Sequence, residues 1–107
     1  MKRMLLSLVL LLPLAAAAAT TPEYALTIDK HVFQPGTLKI PANTRVMLTV
    51  SNNDSTPEEF ESTEFNVEKI IMPKGKIKLF VGPLKAGSYH FFGEFHRDTA
   101  QGTLIVE

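Results

Sequence analysis

The chain has 107 residues, no cysteine and no tryptophan, with 11 basic and 11 acidic side chains. Without cysteine there is no disulfide framework, no thiolate nucleophile and no thiolate metal ligand, so any metal chemistry must use imidazole and carboxylate. No basic patch or long charge run suggests nucleic acid, and neither a Gly-x-Ser-x-Gly elbow nor a phosphate-binding glycine loop is present.

The first nineteen residues read as a secretory signal peptide. Lys2 and Arg3 form a positive start, Met4 to Leu14 an apolar stretch, and Ala15 to Ala19 a small-residue run with cleavage expected after Ala19. The apolar stretch is short for a span of about 20 residues, and no later segment is apolar enough to cross a membrane. The expectation is therefore one exported domain over residues 20–107, with no membrane insertion after cleavage. That domain carries nine basic and eleven acidic groups, a formal charge of −2. Without disulfides, its stability must come from core packing, from metal, or from both.

Short strands punctuated by Pro and Gly follow. Tyr24 to Lys30 alternates, with Leu26 and Ile28 on one face. Gln34-Pro35-Gly36 is a turn before Leu38 to Ile40, and Pro41-Ala42-Asn43 is a second turn. Arg45 to Val50 places Val46, Leu48 and Val50 inward, and Pro73-Lys74-Gly75 separates Val67 to Met72 from Lys76 to Val81. In the latter, Ile77, Leu79 and Val81 form the buried face. The aromatic strand Gly87-Ser88-Tyr89-His90-Phe91-Phe92 runs into a tight loop carrying Glu94 and His96, and Gly102 to Val106 closes the chain. About seven strands at this spacing, with no helical period, predict an all-β sandwich or barrel.

The one long connection without a strand pattern is Asn52 to Ser62, with Pro57 and the acidic run Glu58-Glu59-Phe60-Glu61. By itself such a run reads as a solvated turn. Phe60, however, is an apolar plug that would pin the segment to the sandwich and fix the height of its carboxylates. A Greek-key sandwich can set this segment beside the loop before the last strand. Glu94 and His96, two residues apart at the open end of the sandwich, supply the other half of a candidate metal site. His90, mid-strand among aromatics, reads as structural, and His31 ranks below both. Met47 and Met72 read as packing residues, with Met72 at a strand end the better candidate for a thioether ligand.

These segments resemble the cupredoxins. Phe33-x-Pro35, Leu38-x-Ile40-Pro41 and Val46-x-Leu48-x-Val50-x-Asn52 are similar to the first half of that fold, and Tyr89-x-Phe91 through His96 to Gly102 to its closing copper-binding loop. The resemblance covers nearly the whole domain and implies a cupredoxin-like Greek-key β-sandwich. In blue-copper members the ligands are a histidine after the third strand, then cysteine, histidine and usually methionine in the last loop. Here only His96 matches; Gly93 stands in the cysteine position, Ala100 near the methionine, and Glu58 or Glu59 replaces the earlier histidine. A type 1 blue-copper site needs the thiolate, so a carboxylate–imidazole site would instead favour Cu(II), Fe(III) or another oxygen-loving ion. Stabilising Fe(III) over Fe(II) eases oxidation of ferrous iron.

The runs Thr56 to Ser62, Gly93 to His96 and Thr99 to Gly102 together resemble a narrower group, the small periplasmic cupredoxin-like proteins of ferrous-iron permease systems. That resemblance implies a periplasmic copper- or iron-binding role in iron uptake, with ferroxidase-type activity as one form. It also implies a membrane permease and a second periplasmic metal-binding protein as partners. The expected ligand pool is Glu58, Glu59, Glu61, Glu94 and His96, with Glu59, Glu94 and His96 in front and Glu58 and Glu61 as supports or alternates. Two other readings stand beside it: a copper carrier or electron-transfer protein, and a metal-free interaction module whose acidic segment docks a basic partner.

Overall fold

A computed structural model describes Thr20 to Glu107, together with Met4 and Ser7. The expected signal peptide and its cleavage point lie outside the described residues. Nine strands follow in chain order: β1 (Glu23–Asp29), β2 (Val32–Gln34), β3 (Thr37–Ile40), β4 (Val46–Asn52), β5 (Glu58–Ser62), β6 (Val67–Ile71), β7 (Lys76–Val81), β8 (Gly87–Gly93) and β9 (Gln101–Val106). A single 3-10 turn, Glu94–His96, follows β8. The strands form two sheets, β2-β1-β4-β7 and β3-β9-β8-β5-β6. The β1–β4 and β3–β9 pairs are parallel and all others antiparallel.

The inward face follows the alternation seen in the sequence. Leu26, Ile28, Val46, Leu48, Val50, Leu79 and Val81 are buried from the first sheet, and Leu38, Ile40, Phe60, Phe91, Leu104 and Val106 from the second. Ile77 is only partly buried. Phe33, Phe60 and Phe91 meet edge-on or tilted, with centroids 5.0 to 5.9 Å apart. Rings in such contact add to the stabilisation that burial gives each of them.

Two strands exceed the expected seven. β2 is three residues long and lies between turn signals, too short to show a period. β5 corrects the reading of Asn52 to Ser62 as one loop: the chain is irregular only to Pro57, then pairs with β6 and, through Phe60 and Glu61, with β8. Its inward residues are Glu58, Phe60 and Ser62, all buried, so two of three core-facing positions are polar and the apolar alternation vanishes. Each is satisfied internally. Ser62 Oγ donates to the His90 carbonyl at 2.7 Å and accepts from Glu64 N and Phe65 N.

Candidate metal centre

Phe60 pairs with Gly93, which sets the start of β5 beside the end of β8. Three connections come together at this pole: the Lys30-His31 turn between β1 and β2, the Asn53 to Pro57 loop, and the 3-10 turn. Because Phe60 points into the core, parity sends Glu58 inward as well. The Glu58 side chain is 2% exposed. Its Oε1 accepts from Glu59 N at 3.0 Å and Phe95 N at 2.8 Å, and its Oε2 lies 2.6 Å from His96 Nδ1.

Gly93 makes room for this carboxyl. A Cβ there would stand 2.6 Å from Glu58 Cδ and 2.7 Å from Ala100 Cβ, closer than atoms tolerate. The Glu58 carboxyl thus lies against the Cα that would carry a side chain at position 93. The 3-10 turn closes over it, with Ala100 N donating to the His96 carbonyl and Gly93 N to the Ala100 carbonyl, each at 2.8 Å.

His96 stacks on His31, ring centroids 3.5 Å apart and planes 12° from parallel. One ligand atom each from His31, Glu58 and His96 lie within 4.8 Å of one another. Asp54 flanks His31, its Oδ2 3.3 Å from the ring Nδ1. Burial opposes the charge on Asp54, but backbone N–H groups of His31 and Lys30 and the nearby His31 and His96 rings outweigh it. Together they hold its carboxyl below the usual carboxylate range.

Of the five expected ligands, the structure brings Glu58 and His96 together. Glu59 and Glu61 alternate to the outer face of β5, where ligand oxygens of Glu59, Glu61 and Glu68 lie within 4.8 Å of one another. Partial desolvation, then the neighbouring Glu68 and Glu61, push the Glu59 carboxyl upward. Glu94 turns away to Arg97, accepting from its Nε at 2.7 Å. The front set of Glu59, Glu94 and His96 is therefore not assembled at one point, because strand parity separates Glu59 from Glu58 and an ion pair engages Glu94. His31 is the member that sequence reasoning ranked low. The sequence pattern carried the β1 alternation to Lys30 and marked its first turn at Gln34-Pro35-Gly36, and nothing local to His31 points to His96, 65 positions away. Glu58 shares a face with the Phe60 plug by strand parity, a signal that operates only once the segment is a strand rather than a loop. His90 is exposed and hydrogen-bonded to Gln101, away from the three clustered residues.

The donor set is two imidazoles and one buried carboxyl, with no thiolate. Donors sharing an ion at bond lengths of roughly 2.0–2.2 Å stand about 3 Å or more apart. The 2.6 Å Glu58–His96 contact is thus a hydrogen bond, and an ion entering between them would replace its proton and spread the pair. These residues fit Cu(II) or an iron ion by donor type and do not fit a type 1 copper site.

The sequence family described as cupredoxin-like domain matches residues 2–106. An uncharacterized protein of Rickettsia prowazekii (strain Madrid E) is 46% identical over 84 residues, covering 78% of this chain and 67% of that protein. Among solved structures, similarity extends to the metal-binding domain of the Cu(I)-exporting P-type ATPase of Streptococcus pneumoniae D39 with Cu(I). Its TM-score is 0.68 at 13% identity, covering 79% of this chain and 84% of that one. A methionine-to-alanine mutant of amicyanin in its Cu(I) form gives 0.66 at 17% identity, over 87% and 90% of the two chains. A purple cupredoxin from Nitrosopumilus maritimus gives 0.61 at 19% identity, over 78% and 98%. The chain belongs to the cupredoxin-like domain family, and it lacks the cysteine of a blue-copper site. No helix among the described residues is long and apolar enough to cross a membrane.

Proposed function

We propose that this protein is a metal-binding cupredoxin whose centre is Glu58, His96 and His31, working in the periplasm in support of ferrous-iron uptake. The observation that carries the metal reading is the buried Glu58 carboxyl, seated against the bare Cα of Gly93 and paired with His96. Glu58 and His96 would hold the ion and His31 would complete the set. A redox-active ion bound there supplies one-electron chemistry. Were Fe(II) itself the ion held there, these donors would favour Fe(III) and ease loss of its electron to an external acceptor such as dioxygen, whereas they would suit Cu(I) poorly. The periplasmic location, the permease and the second metal-binding protein are supported by the sequence resemblance. Glu59 and Glu61, on the outer face of β5, and Glu94, paired with Arg97, lie outside this proposed centre.

A copper carrier is the second reading, favoured by solved neighbours that contain Cu(I). Calorimetric titration of the metal-free domain with Cu(II), and with Fe(II) under anaerobic conditions, separates them. Tight one-to-one binding abolished in His96→Ala and Glu58→Gln supports the centre. Iron-dependent oxygen or acceptor consumption then favours the uptake role, and copper binding without it favours the carrier. Absence of binding by either ion removes both.

A further inference from the structure

The turn that presents His31 is unfavourable by its own chemistry. Asp29 pairs with Val32, so Lys30 and His31 form a two-residue hairpin loop, with φ of 53° and 60°. Two successive left-handed residues are what such loops require, and Asn-Gly is the usual solution. A residue bearing a full side chain in that region costs on the order of 1 kcal/mol or more. Here neither position is Gly, Asn or Asp. The strain is held by a residue far away in sequence: Asp54 Oδ1 accepts from Lys30 N at 2.7 Å and Oδ2 from His31 N at 3.0 Å.

Asp54 is itself fixed from behind. Asn52, buried at the end of β4, accepts from Asp54 N at 2.9 Å and donates to the carbonyls of Thr56 and Ile71 at 2.8 and 3.2 Å. Lys74 N donates to the Asp54 carbonyl at 3.1 Å. The brace also sets the His31 ring, which lies on His96 with its Nδ1 3.3 Å from the Asp54 carboxyl.

We propose that Asp54 is a positioning residue for the metal centre, acting through His31: it holds the Lys30-His31 turn and keeps the ring proton on Nδ1, leaving Nε2 to donate to the ion. The proposal rests on the reading of Glu58, His96 and His31 as that centre. A neutral imidazole carries one proton on two nitrogens, and the nitrogen beside a carboxylate keeps it. Carboxylates orient metal-binding histidines in this way, and losing one weakens affinity by roughly 10–100-fold. At 3.3 Å the contact exceeds the roughly 2.7–2.9 Å of a tight charged hydrogen bond, so charge and the two backbone contacts do most of the orienting.

Long-range 1H–15N correlation on the metal-free, 15N-histidine-labelled domain reads the tautomer directly, and Cu(II) calorimetry reads the affinity. Wild type is expected to show His31 protonated on Nδ1. In Asp54→Asn the amide oxygen still accepts one backbone N–H, while the amide NH2 turns to the ring, moves the proton to Nε2 and lowers Cu(II) affinity by about 10–100-fold. Asp54→Glu, which restores the charge, should recover part of both. An Nε2–H tautomer in wild type overturns the proposal, and this measurement stands even if the variants fail to fold. So does weakened binding with an unchanged tautomer, or no change in either. Absence of Cu(II) binding by wild type instead removes the metal centre, and with it the role of Asp54.

Discussion

Glu58 lies where a carboxyl is normally costly. Its oxygens have three protein donors, and removing one member of a buried hydrogen-bonded set leaves the others unsatisfied. Glu58→Gln retains an acceptor for the two backbone N–H groups and loses the anionic partner of His96. We expect a loss of about 1–3 kcal/mol in urea denaturation and abolished Cu(II) binding in calorimetry. Gly93→Ala attacks the same point from the opposite strand. With its Cβ 2.6 Å from Glu58 Cδ, it should cost about 1–3 kcal/mol by denaturation and move the carboxyl off His96, visible in the His96 ring resonances. Asp54 makes a pH-dependent contribution. Its carboxyl is held below its ordinary value of 3.8, so in the metal-free domain its stabilisation is fully present above about pH 4. That contribution is lost as pH falls through the depressed value. The difference in melting temperature between wild type and Asp54→Asn should accordingly be full at pH 7 and shrink below pH 4.

At the scale of elements, β5 and the β8 end form the site together, and both are set by the aromatic cluster beneath. Phe60 separates two buried polar residues, and Phe91 lies two positions before Gly93 on the same face. Phe60→Ala should cost about 3–5 kcal/mol in denaturant unfolding. It should also weaken Cu(II) binding, because Glu58 loses the neighbour that fixes its height. β4 and β7 were legible because their inward positions are unbroken apolar series: Val46, Leu48 and Val50, and Ile77, Leu79 and Val81. β5 was not, since its inward series reads Glu58, Phe60, Ser62. A polar residue faces inward at low cost only when particular partners await it, and those partners come from β8 and the 3-10 turn.

The whole domain has no disulfide, and its described part balances apolar packing against chain entropy within a small core. An ion that binds only the folded state adds stability by mass action, about 2.7 kcal/mol at a hundredfold excess over Kd. For a domain of this size that corresponds to a melting shift of roughly 10–20 °C. Cu(II) should produce it in wild type and not in His96→Ala, as followed by circular dichroism. The sequence alone determined the all-β class, most inward-facing residues and the exclusion of thiolate chemistry, because alternation and residue type are local properties of the chain. It also supplied Glu58 and His96 as candidates, although it set Glu59 and Glu94 ahead of Glu58. Only the tertiary structure decided which carboxylate faces inward beside Gly93, and that His31 stacks on His96 under Asp54. Those contacts join residues 23 to 65 positions apart, brought together by strand register and a strained turn rather than by any neighbouring pattern.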